Sequence, residues 1–132
     1  SWTVCGMPPP SSGGIAIAQM LGMLEARDMR AYAPTEGVLN AEGVHLFAEA
    51  GRLAYADRAR YVADTDFVSL PGGSVKPLLD KQYLAARGAL IGEKSIGIAW
   101  PGQPQATMLA QGTDTSPEFN ATSHISVVDA QG

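Results

Sequence analysis

The chain has 132 residues, a formal net charge of -4, 45% hydrophobic residues and 17% charged ones. That composition fits one globular domain with enough apolar chain for a core. The mild acidity and the absence of any Lys/Arg cluster exclude a nucleic-acid footprint, and no apolar run is long enough to predict a membrane span. The single cysteine, Cys5, excludes an internal disulfide. Its apolar neighbours predict a buried, inert thiol. Ser1-Trp2-Thr3-Val4 has no basic leader, so a signal peptide is not expected there. Both ends read as cut, and the expectation is a fragment of a larger protein.

Trp2 to Met7 combines aromatic and β-branched residues, which predicts a short strand. Pro8-Pro9-Pro10 ends it by fixing φ and removing donors. Ser11-Ser12-Gly13-Gly14 then opens a helix whose apolar positions are Ile17, Met20, Leu21 and Leu24, with a serine as N-cap. Capping and close backbone packing are the reading preferred for this Ser-Gly-Gly turn over an anion site at the helix start.

A turn region with Pro34 and Gly37 leads to a longer helix from Ala41 to about Ala63. Val44, Phe47, Ala48, Gly51, Tyr55 and Val62 form its predicted apolar stripe. Glu49 with Arg52 and Asp57 with Arg60 are i, i+3 pairs assigned to its wetter side. His45 reads as a helix-surface residue, since no second ligand stands beside it at metal spacing. Asp64 and Asp66 lack the glycine and glutamate of a calcium loop, which leaves capping and turn roles. No metal or cofactor site is expected.

A third helix is predicted from Pro77 to about Ile91, with Leu78, Leu79, Tyr83 and Leu84 inward. Residues 92–121 lose all periodicity and read as a long linker loop, a length that usually carries function. This loop runs into Asn120-Ala121-Thr122-Ser123-His124-Ile125-Ser126-Val127-Val128-Asp129, a polar turn entering a second short strand. Alternation puts Thr122, His124 and Ser126 on one face. Two readings stay open on these residues alone. One is an ordinary polar strand edge. The other is a latent nucleophile: cleavage before Thr122 would free an α-amine whose pKa of roughly 7.7–8.0 suits a base near neutral pH. Asn120-Ala121-Thr122 also matches a glycosylation sequon, a pattern common by chance.

Three blocks carry a resemblance to the gamma-glutamyltransferases (gamma-glutamyltranspeptidases, glutathione hydrolases). They are Met7-Pro-Pro-Pro-Ser-Ser-Gly-Gly14; Glu49-Ala-Gly-Arg-Leu-Ala-Tyr-Ala-Asp-Arg58 with Asp64-Thr-Asp-Phe67; and Thr122-Ser-His-Ile-Ser-Val-Val-Asp129. They stand in the family's order and span nearly the whole chain. Ser123 departs from the threonine that many members carry.

The resemblance implies an α+β fold: a mostly helical fragment with short strands at both ends, part of the αββα fold of N-terminal-nucleophile hydrolases. Residues 1–121 match the C-terminal part of the large subunit and residues 122–132 the start of the small subunit. Thr122 matches the nucleophile, which would cut the Ala121–Thr122 bond and then attack γ-glutamyl compounds such as glutathione. Water, an amino acid or a peptide would be the acceptor. His124 and Ser126 are candidates for supporting roles around it.

Partners implied are the remainder of both subunits, with no nucleic acid and no membrane segment in this stretch. Apolar surface is expected to be left exposed, to be covered by oligomerisation or a partner chain. The location implied is periplasmic or secreted. The family's oxyanion-hole glycines, its substrate-gripping residues and a second threonine find no match here, so the stretch alone is expected to be inactive. A related acylase acting on β-lactam side chains or poly-γ-glutamate is the near alternative. A non-catalytic helical scaffold or interaction domain is the distant one.

Overall fold

The computed structural model describes residues 3–105, 125 and 127–132. Three α-helices make up its body: α1 (Gly13–Leu24), α2 (Ala41–Tyr61) and α3 (Lys81–Gly88). Short 3-10 turns at Met29–Tyr32, Pro71–Gly73 and Lys76–Leu79 connect them. Among the described residues there is no strand; the one isolated bridge joins Thr35 to Val38. The strands expected at both ends are therefore not supported. Val4 and Met7 are exposed, as are Ile125, Val127 and Val128. A β-prone segment forms a strand only against a partner that takes its N–H and C=O groups, and none stands beside these segments among the described residues. Cys5 lies in this exposed segment, so the buried thiol is also corrected.

α1 begins where the glycines predict. Ser12 occupies the N-cap position but its side chain caps nothing. Its hydroxyl instead accepts a 2.9 Å hydrogen bond from Nε of Arg58 on α2. A Cβ on Gly6 would meet the Cα of Gly14, so the triproline turn folds the preceding chain tightly over the helix start. That is the close backbone packing expected of the Ser-Gly-Gly turn. α2 is capped by Asn40, whose Oδ1 accepts from the amides of Glu42 and Gly43. Such a cap is worth about 1 kcal/mol.

The inward faces differ from the predicted ones. On α1, Met20 and Leu24 are buried as expected, but Ile17 and Leu21 are 58% and 64% exposed. On α2, Val44, Phe47 and Tyr55 point outward, while Leu46, Glu49, Ala50, Leu53, Ala54, Asp57 and Tyr61 are buried. The expected apolar surface is there, on α1 and α2. Positions 46, 50, 53, 57 and 61 follow helical spacing as well as the predicted stripe does. The winning face is the one whose small residues, Ala50 and Ala54, let α1 approach. Two acids ride inward with it.

The third helix is shorter than predicted. Asp80 takes an extended conformation, with φ -63° and ψ 131°, and its side chain caps Tyr83 N. A side chain that bonds the backbone two or three residues ahead competes with helix continuation. The stretch Pro77–Ile91 therefore splits into a 3-10 turn and α3. The main core joins α1, α2 and α3 through Met20, Met23, Leu24, Leu46, Ala50, Leu53, Ala54, Tyr83, Leu84 and Ile91. A smaller cluster gathers Ile15, Tyr61 and Leu78. Each large apolar side chain so buried contributes about 1.5–3 kcal/mol before entropy is counted.

Candidate functional site

Thr122, His124, Ser126 and the Ala121–Thr122 bond lie outside the described residues. Ser95 through Gln105 lead toward them and carry neither helix nor strand. This part of the predicted linker is nevertheless held at Ser95, Ile96, Gly97, Trp100 and Gly102 by polar side chains of α2 and α3.

His45 Nε2 meets the carbonyl of Gly92 at 2.8 Å, and Arg27 Nη2 donates to the carbonyl of Ile91 at 2.8 Å. Glu49 accepts from Ser95 Oγ at 2.8 Å and from the amide of Ile96 at 2.6 Å. Arg52 pairs with Glu49 at 3.2 Å and donates to the carbonyl of Gly97 at 2.9 Å. The Glu49–Arg52 pair was expected, but Glu49 is only 2% exposed, so it does not sit on a wet face. Burial raises its pKa. The Ile96 amide, the Ser95 hydroxyl and the charges of Arg52 and His45 outweigh that and hold the carboxyl below the usual glutamate range.

Further along α2, Asp57 is fully buried and saturated. Its Oδ2 accepts from Tyr83 Oη at 2.6 Å and from Gln19 Nε2 at 3.2 Å. Its Oδ1 accepts from Arg87 Nη2 at 2.9 Å and from the amide of Gly102 at 2.8 Å. One carboxylate thus ties α1, α2 and α3 to the linker. Arg87, 6% exposed, offers the same Nη2 to the carbonyls of Leu53 and Trp100, both at 3.0 Å. Its buried Nε has no hydrogen-bond partner among the described residues. Tyr61 Oη closes the arrangement by donating to the carbonyl of Gly102 at 2.6 Å.

A Cβ at Gly102 would strike Tyr83 Oη and the Arg87 side chain, so only glycine brings the linker this close. Burial and then the bond to Asp57 push the Tyr83 hydroxyl far above the ordinary phenol range. Burial and the charge of Asp57 push Tyr61 up as well. Both phenols therefore stay protonated donors. These groups hold position and exchange no proton near neutral pH.

The sequence reading missed this site because Asp57 was assigned to the wet side of α2. The available signal was its place on the series Leu46, Ala50, Leu53, Asp57, Tyr61. His45 is on the helix surface as expected, with the added contact to Gly92. Asp64 caps its own turn by accepting from the Asp66 amide at 3.0 Å. Among the described residues no cluster of His, Cys, Asp or Glu could hold a metal ion, and no helix is long and apolar enough to cross a membrane.

This helical body is similar to part of solved gamma-glutamyltranspeptidase structures. The crystal structure of Helicobacter pylori gamma-glutamyltranspeptidase matches it with a TM-score of 0.62 and 34% identity, over 86% of this chain and 30% of that one. The structure of the Pseudomonas nitroreducens enzyme complexed with L-DON gives 0.56 and 34%, over 76% and 30%. The family model for gamma-glutamyltranspeptidase matches residues 1–132, and the chain belongs to that family.

It is 38% identical over 131 residues to the glutathione hydrolase proenzyme of Escherichia coli (strain K12), covering 99% of this chain and 20% of that protein. It is 40% identical over 131 residues to the Acylase ACY 1 proenzyme of Pseudomonas sp. (strain V22), with the same 99% and 20% coverage. The chain therefore spans about a fifth of the length of the curated relatives it matches.

Proposed function

We propose that this chain is the part of a gamma-glutamyltransferase proenzyme that spans the junction of its two subunits, with residues 1–121 before the cut and 122–132 after it. The observation that carries the reading is the family match across all of residues 1–132, which includes the Thr122–Asp129 block, together with relatives named as proenzymes. Thr122 Oγ attacks the carbonyl carbon of Ala121, and the acyl group moves from nitrogen to oxygen. Water hydrolyses the resulting ester. This leaves a carboxylate on Ala121 and a free α-amine and hydroxyl on Thr122.

In the mature enzyme that amine takes the proton from Thr122 Oγ as the oxygen attacks the γ-carbonyl of a γ-glutamyl compound such as glutathione. The proton passes to the departing amine. The γ-glutamyl ester on Thr122 is then released to water, an amino acid or a peptide. His124 and Ser126 are the residues assigned to orient Thr122. Oxyanion donors and substrate-gripping groups are supplied by the remainder of the two subunits, so residues 1–132 alone are inactive. The location that goes with this reading is periplasmic or secreted.

Mass spectrometry of the full-length protein tests this. The expected result is a cut between Ala121 and Thr122 that Thr122→Ala abolishes together with γ-glutamyl hydrolysis. An uncut chain with full activity overturns the autocleavage step. The 40% identity to an acylase proenzyme favours one second reading, an acylase working through the same Thr122. Turnover of a β-lactam side-chain amide in place of glutathione, by the same matured protein, would select it.

A further inference from the structure

From the way the linker is held, we propose that Asp57 and Arg87 are positioning residues for maturation. They fix the backbone of the linker at Trp100 and Gly102, upstream in sequence of the Ala121–Thr122 bond, and they take no part in turnover. The inference rests on the autocleavage reading above. Three observations carry it.

The first is where the contacts fall. Gly92 O, Ile96 N, Gly97 O, Trp100 O and both polar groups of the Gly102 backbone are each held by a side chain of α2 or α3. Nearly all of these bonds go to main-chain atoms, so they fix the course of the chain and ignore its side chains. Pro104, two residues further along the chain, is fully buried.

The second is the residue type. Stability alone does not call for a charged pair here. Exchanging a buried ion pair for well-packed apolar residues is often neutral or stabilising. What a saturated carboxylate adds is direction, because its four acceptor sites are filled by groups from three different parts of the chain: α1, α3 and the linker.

The third is that Arg87 keeps a buried Nε–H with no acceptor among the described residues, although its other contacts are short and specific. The unpartnered Nε–H holds nothing itself; the holding is done by Nη2, which meets Asp57 and the carbonyls of Leu53 and Trp100 together and so joins α2 to the linker directly.

The test uses the full-length proenzyme carrying Asp57→Asn, Arg87→Lys or Glu49→Gln. Each is followed by mass spectrometry for the rate of the Ala121–Thr122 cut and by circular dichroism for folding. γ-Glutamyl turnover is measured per matured Thr122. Losing a hydrogen bond to a charged partner is expected to slow the cut roughly tenfold or more in Asp57→Asn and Arg87→Lys. Turnover per matured threonine stays within about twofold of the parent, a split that general destabilisation does not produce.

Glu49→Gln, at the other end of the held stretch, slows the cut less. It decides the matter if either of the first two variants fails to fold. A folded variant that cuts at the parent rate overturns the proposal, as does turnover that falls in step with cutting. A Thr122→Ala protein that is still cut overturns the autocleavage reading itself, and is thereby distinguished from failure of the positioning role.

Discussion

Residues 3–10 and residues 91–104 are both irregular, yet they meet opposite fates. The first was the better candidate for order, since it is rich in strand formers. It carries no helix or strand, and its large side chains are exposed, Val4 at 90%. The second has lost all hydrophobic periodicity, yet side chains hold its backbone at Ile91, Gly92, Ile96, Gly97, Trp100 and Gly102, and its Pro104 is buried. The difference lies in who supplies hydrogen-bond partners. A strand former needs another strand. An aperiodic segment can be ordered by side chains whose own positions a helix has already fixed.

The contrast should break most sharply at Arg87. Arg87→Ala leaves the Asp57 carboxylate buried and unpaired, and should cost about 3–5 kcal/mol in a urea titration of the full-length protein. The amides of Ile96 and Gly102 should lose hydrogen-exchange protection with it. The amides of residues 3–7, which have no partner among the described residues, should be unchanged.

A smaller effect is expected from acid. Glu49 is held below its ordinary pKa in the folded state. Its contribution is therefore complete above the unfolded value of about 4.3 and is lost as pH falls through the lower folded value. Exchange at the Ile96 amide should speed up over that window before the rest of α2 loosens. A Glu49→Gln protein should show no such step.

The smallest effect belongs to the exposed segment. In the 132-residue chain, Val4→Ser should shift stability by less than about 0.5 kcal/mol. A larger loss would mean that this segment is packed after all.

Much of the helical frame was readable from sequence. Gly13 and Ala41 start their helices where the turn residues say they should, and the prolines end what precedes them. The faces were not readable. α2 carries two apolar stripes, and counting charges chose the wrong one. Glu49 and Asp57 are acids whose partners come from residues far along the chain, among them Ile96, Arg87 and Gly102. Helical periodicity within α2 cannot see those partners. The same holds for Ile17 and Leu21, apolar at the right spacing yet exposed in this chain. Thr122 was singled out by a resemblance to a family, through a block of residues whose chemistry alone made an ordinary strand edge the commoner reading.

The bonds that hold residues 92–102 end almost entirely on main-chain atoms, and this has a consequence for engineering. Ile98 and Trp100 are each 75% exposed, so their side chains stand clear of the contacts that fix their backbone. They can be exchanged for a dye-bearing cysteine, an affinity handle or a randomised codon without redirecting the chain. Gly102 cannot, because Tyr83 and Arg87 already occupy the space a side chain would need. In the 132-residue chain the stretch therefore has two open positions and one closed one.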